Sequence, residues 1–179
     1  MLLRLQKISD RFTDLLGYLA AALTILTLLN VFYDATMRYF FRTGSIALQE
    51  MEWHMFSLLF LFGIAYALKE EGHVRVDVIY ARLAPRTKAL INILGAFLFL
   101  IPLAVLIIHG SLPFVQEAYE VGEISGDPGG LTHRWLIKAM IPVSFLFLLF
   151  TTVGFVIRNL FIYRGIDVPD VSKNKGHTF

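Results

Sequence analysis

Four stretches of this 179-residue chain are apolar over enough length to cross, or nearly cross, the hydrocarbon core of a bilayer, which takes about 20 residues of helix. They run from about Phe12 to Tyr33, over 46–68, from Leu90 to Leu112 and from Trp135 to Ile157. The second is the least clean. Its clearly apolar part, Trp53 to Leu68, is too short alone, and the extension through Ile46–Glu52 brings Glu50 and Glu52 to the outer interface. The expected fold class is an all-α membrane protein of four transmembrane helices. It forms one domain over residues 1–165, followed by a cytoplasmic tail, 166–179, expected to be disordered. Composition points the same way. Apolar residues make up 56% of the chain and charged residues 17%, against roughly 45–50% and about 25% in soluble domains. That apolar excess has no soluble interior large enough to hide in, so it needs lipid.

Arg4, Lys7 and Arg11 before the first stretch look like the charged start of a signal peptide. The apolar run that follows is too long for a cleavable segment and no small-residue cleavage site ends it, so it reads as a retained helix. Orientation follows from Lys and Arg in the connections. The N-terminal tail has these three, the connection between spans two and three has five (Lys69, Arg75, Arg82, Arg86, Lys88), and the stretch after span four has four. The opposite side holds only Arg38, Arg42, Arg134 and Lys138 of the sixteen. Both termini are therefore expected in the cytoplasm.

The cytoplasmic connection is the most patterned part of the chain. Glu70-Glu71-Gly72 closes span two with Gly72 as a plausible C-cap. Read as a helix, the following residues put Val74, Val78, Ile79 and Leu83 on one face, with Arg75 and Arg82 off it and Pro85 as the stop. That pattern suits a short interfacial helix on the cytoplasmic side. Its first six residues also alternate like a strand, so both readings stay open. The outer connection between spans three and four sets Glu117, Glu120, Glu123 and Asp127 against Arg134 and contains the turn Asp127-Pro128-Gly129-Gly130. It reads as a solvated turn, as a loop resting on the membrane, or as a surface for a partner's basic face.

Chemistry is hard to find. The chain has no cysteine, which removes disulfides, thiolate metal sites and thiol nucleophiles. A net charge of +2 without a basic run interleaved with aromatics gives nucleic acid nothing to bind. Asp14, Asp34, Arg38, Glu50, Glu52, His54, His109 and Lys138 all fall within a turn or two of a span end, whereas a substrate or coupling ion binds near the midplane. Asn30 lies deeper and reads as helix–helix glue. Pro102 reads as a kink in span three. No metalloprotease, serine-hydrolase or phosphate-loop pattern is present, and Glu50 and Glu52, two apart on a helix, point to different faces. The chain is expected not to be an enzyme and to need no cofactor. Two readings from other classes remain: a haem-carrying anchor using His54 and His109, and a free-standing homodimeric small transporter. Many of the 16 phenylalanines pad lipid-facing surface, while Gly63, Ala65 and Ala67 permit close helix approach.

The segment Leu48-Gln49-Glu50-Met51-Glu52-Trp53-His54, then Phe60-Leu61-Phe62-Gly63-Ile64-Ala65-Tyr66-Ala67-Leu68 and Gly72-His73-Val74-Arg75-Val76-Asp77, resembles the small membrane subunit (Q subunit) of TRAP transporters, the tripartite ATP-independent periplasmic systems. Asp127-Pro128-Gly129-Gly130-Leu131 with His133-Arg134-Trp135-Leu136-Ile137-Lys138-Ala139 also fits, and the likeness runs from roughly Arg4 to Phe161. The resemblance implies a sodium-driven uptake system for organic acids in a bacterial inner membrane. A soluble periplasmic protein captures the substrate and a large multi-span subunit moves it by an elevator-like motion. The small subunit binds no substrate; it buttresses the large subunit and helps receive the binding protein. Arg38, Glu50, Glu52, Trp53, Gly63, Gly72, His73, Arg75 and Asp77 are the resulting candidates for subunit-interface or structural roles. Glu50, Glu52 and Arg38 are expected to pair with each other or with the large subunit. Glu117, Glu120, Glu123, Asp127 and Arg134 are the candidates for a periplasmic docking loop.

Overall fold

Each apolar stretch lies within one helix of the computed structural model, which describes residues 1–70, 80 and 82–166. We number the helices α1 (Leu2–Phe40), α2 (Ile46–Lys69), α3 (Pro85–Glu120) and α4 (Trp135–Arg164). All four are long and apolar enough to cross a membrane, and the described residues contain no strand. The first, third and fourth outrun their apolar cores. At 39 residues and about 1.5 Å per residue, α1 is close to 60 Å long, about twice a hydrocarbon core. The expected C-cap at Gly72 and the short cytoplasmic helix carrying His73, Arg75 and Asp77 lie outside the described residues. So does the tail from 167 onward.

The fourth helix is the centre of the bundle. In its most apolar window 44% of residues are buried, against 11% in each of the other three. Helices α1 and α2 form an antiparallel pair and both pack on it, and α3 packs on it as well, without closing on α2. One end of the bundle, here the terminal end, therefore carries the start of α1, the end of α2, the start of α3 and the end of α4. The opposite end, here the loop end, carries the α1–α2 turn and residues 121–134.

Small and hydroxylated side chains set these contacts, because lipid supplies no hydrophobic force between helices and close packing has to do the work. Gly154 of α4 leaves room for Ser9 of α1, whose hydroxyl donates to the Phe150 carbonyl at 3.2 Å. One turn on, the Thr13 and Thr151 hydroxyls meet at 2.9 Å. Gly17 lets the Tyr66 ring of α2 lie against the α1 backbone. Asn30, read from sequence as glue, donates to the Leu48 carbonyl at 2.9 Å and ties α1 to the start of α2.

Between α3 and α4 the tie is an amide pair. Asn92 Nδ2 donates to Asn159 Oδ1 at 2.8 Å, Asn159 Nδ2 donates to the Phe155 carbonyl, and Tyr80 donates to Asn92 Oδ1 at 3.1 Å. Such bonds between membrane helices are worth about 0.6 kcal/mol on average. A double-mutant cycle of Asn92→Leu and Asn159→Leu, read by unfolding in mixed detergent micelles, should return a coupling of about that size; a coupling of zero would show that the pair contributes nothing in a membrane.

The expected kink at Pro102 coincides with a π-helical turn, Ala96–Leu100. Proline has no N–H to give and its ring crowds the carbonyl four residues back. The widened turn, in which Ile101 N–H reaches Ala96 O, accommodates that loss.

Candidate functional site

Polar chemistry in this chain collects at the two ends of the bundle, and the richer cluster is at the loop end. Glu50, in the second turn of α2, is only 8% exposed. Its carboxylate accepts from the Ser125 hydroxyl and from the Leu131 amide, each at 2.5 Å. The loop is shaped to present those donors. Ser125 N–H donates to Leu131 O at 3.0 Å, and Gly130 N–H donates to Asp127 O at 3.0 Å. Gly129 sits at φ +83°, where a side chain would be strained, and a Cβ on Gly130 would collide with Ser125 and crowd the Glu50 carboxylate. The Asp-Pro-Gly-Gly turn is thus the piece that lets a buried carboxylate on α2 hold the α3–α4 loop.

A second carboxylate fastens the same loop to α4. Glu123 pairs with Lys138 and lies 3.8 Å from Arg134, while the Arg134 amide donates to the Glu123 carbonyl at 3.1 Å. Both cations also lie over aromatic rings. The Arg134 guanidinium is 5.4 Å from the Trp53 ring centre, and the Lys138 ammonium is 3.9 Å from that of Phe114. Glu50, Trp53, Glu123 and Arg134 therefore come together in one cluster, joined by Ser125, Leu131 and Lys138.

The other sequence candidates stand apart from it. Arg38 pairs with Asp34 on its own helix at 3.0 Å. Glu52 has no side-chain partner among the described residues, so Arg38, Glu50 and Glu52 do not pair with one another. Gly63 faces open space. Glu117, Glu120 and Asp127 are exposed at the rim, with Glu120 taking a bond from Gln116 at 2.7 Å. Gly72, His73, Arg75 and Asp77 lie outside the described residues.

At the terminal end, Lys69 closes α2 against α1 through Asp14 at 2.5 Å, and Arg158 of α4 donates to the Lys69 carbonyl at 3.2 Å. Sequence reasoning missed this clamp, as it missed Ser9, Thr13 and Thr151. The four-residue spacing of Ser9 and Thr13, and the Thr151–Gly154 pairing, were the available signs of a close helix contact. Nothing in the sequence singled out Ser125.

These clusters can hold helices and a loop in register, and they contain no nucleophile–base pair. No group of three His, Asp or Glu side chains among the described residues is placed to hold a metal ion. His54 Nδ1 lies 2.6 Å from the Glu50 carbonyl on its own helix, and His109 is exposed on α3.

Residues 27–161 match the model of the DctQ component of tripartite ATP-independent periplasmic transporters, a range that includes the entire loop-end cluster. The chain belongs to this family. It is 32% identical over 141 residues to a TRAP transporter small permease protein of Haemophilus influenzae, covering 76% of this chain and 87% of that one. A second small permease protein of the same organism is 26% identical over 113 residues, 63% of this chain and 68% of its own length. The chain is thus a multi-pass membrane protein and a TRAP small permease subunit, and membership implies a large TRAP subunit as its partner.

Proposed function

We propose that this small permease is the non-transporting scaffold of a sodium-driven uptake system for organic acids in a bacterial inner membrane. In this reading both termini are cytoplasmic, and the loop end receives the periplasmic binding protein. One observation carries it: the ionisable groups of the described helices lie toward their ends, where several are tied into clamps within the chain, leaving no midplane group to bind a substrate or ion. The orientation is supported by charge, since Arg4, Lys7, Arg11, Lys69, Arg86 and Arg164 gather at the terminal end while Glu117, Glu120 and Asp127 sit at the loop end. Those three exposed carboxylates offer a negative rim to a basic surface, which steers encounter more than it adds affinity.

The test is uptake of labelled organic acid into vesicles holding the large subunit, with and without this chain, at a fixed sodium gradient and varied binding protein. Uptake should need both membrane chains. Reversing the rim (Glu117→Lys, Glu120→Lys, Asp127→Lys) should raise the binding-protein concentration for half-maximal rate about tenfold at low salt, and much less at high salt. Uptake by this chain alone, or full uptake by the large subunit without it, would overturn the scaffold reading.

A further inference from the structure

Because α2 and α3 meet α4 but do not close on each other, a trough runs between them with α4 as its floor. It consists of two hollows. One, of about 530 Å³, lies at the loop end between Phe60 of α2 and Phe114 of α3. The other, of about 810 Å³, lies nearer the terminal end between Ile64 of α2 and Leu103 of α3. The floor passes from Ile137 in the first to Phe155 in the second. That is about 27 Å of helix, close to the roughly 30 Å of a hydrocarbon core. The trough is therefore as long as a membrane is thick. Arg134 and Lys138 at its loop end are matched by Glu123 and the nearby Glu50, so an occupant has to bring no charge.

Glycines select the kind of occupant. A glycine inside a helix is destabilising relative to alanine, and an acyl chain packs against leucine as well as against glycine. Between membrane helices the small residue recovers that cost by letting a neighbouring helix come close. Five glycines lie in the described helices. Gly17 and Gly154 stand at contacts inside the bundle, and each is filled, by Tyr66 and by Ser9. The other three border the trough. Gly95 lines it, Gly110 falls on the same stripe of α3 as Leu103 and Phe114, and Gly63 continues the stripe of Phe56 and Phe60 on α2. A Cβ at any of these three would meet nothing within 4 Å among the described residues. The outward face of α1 is different: it presents Ile25, Leu28, Leu29 and Phe32 and no open glycine. The notches are thus filled where the chain's own helices meet and open along a membrane-length trough.

We propose that this trough seats one transmembrane helix of the large TRAP subunit, an apolar helix whose side chains enter beside Gly95 and Gly110. The inference rests on the subunit reading above and adds the face through which the two chains meet. Photo-crosslinking tests it in membranes that hold both full-length chains. Benzoylphenylalanine replaces either Leu103 in the trough wall or Leu28 on the outward face of α1, each more than half exposed. Irradiation should join position 103 to the large subunit and leave position 28 unjoined. Co-purification of the two unaltered chains is scored separately, and its failure would remove the subunit reading itself. If the pair co-purifies but crosslinks from position 28 and not from 103, the subunit reading stands and the trough is not the interface. A product of twice the chain's 20.3 kDa would give the trough to a second copy, and lipid adducts alone would give it to lipid; either overturns the proposal. Filling a notch gives an independent readout. Gly110→Leu should weaken binding to the large subunit about tenfold, by overpacking, while the chain alone unfolds as the parent does. Unchanged binding by that variant would also refute the seat.

Discussion

Replacing Glu50 with alanine is expected to release residues 121–134 from α2 and raise amide exchange at Leu131 about a hundredfold. The carboxylate is nearly buried and accepts two hydrogen bonds, one from a hydroxyl and one from a backbone amide. Charge-assisted bonds of this kind are worth about 1.5–3 kcal/mol each, and the amide left behind would have to find water in a crowded place. Losing both costs about 3 kcal/mol or more of local closing free energy, which sets the hundredfold figure. Hydrogen-exchange mass spectrometry on the loop peptide measures it, with peptides from the middle of α4 as the internal reference. Glu50→Gln keeps an acceptor without the charge and should fall between. If Leu131 exchanges at the same rate in the alanine variant, Glu50 does not latch the loop and its burial has another cause.

The second large effect is expected at Gly154. A Cβ there would occupy the space of the Ser9 side chain, so Gly154→Leu must push α1 away from α4. With it go the Ser9–Phe150 bond and the Thr13–Thr151 contact in the same interface. Overpacking costs about 1–3 kcal/mol, and stranding the hydroxyls adds to it, so about 3 kcal/mol should be lost in mixed-micelle unfolding. Gly63→Ala is the matched control. Its added methyl meets nothing within the chain, so stability should change by less than about 0.5 kcal/mol. If Gly63→Ala nevertheless weakens co-purification with the large subunit, that glycine lies in the contact between the two chains. Unchanged stability in Gly154→Leu would mean that α1 does not rest on α4 in the membrane.

The four spans were legible in the sequence because a run of apolar residues needs no knowledge of its neighbours to declare itself. The weak second span illustrates the limit. Ile46–Glu52 reads as a doubtful extension because it carries two carboxylates, yet it is helical, and one of those carboxylates is buried against a partner. Glu50 reaches a loop 75 residues away in sequence, and no local pattern announces that distance. Asn30 was readable as glue from its depth alone, yet its acceptor, a backbone carbonyl of α2, was not. Lys69 counted only as one more cytoplasmic charge, although it closes α2 against Asp14 of α1.

By itself, then, the sequence determined the helix count, the phase in which the chain resides, the lack of midplane charge and, through its motifs, the family. These are properties of composition and local order. Tertiary structure alone decided that α4 is the hub, that Glu50 and Glu123 fasten one loop to two different helices, and that α2 and α3 leave a charged-mouthed hollow between them. The physical reason is the solvent. In water the apolar pattern also says which face turns inward, but in lipid every face of a span is apolar. The inward face is then chosen by small residues and a few polar side chains, whose partners become known only when the helices are brought together.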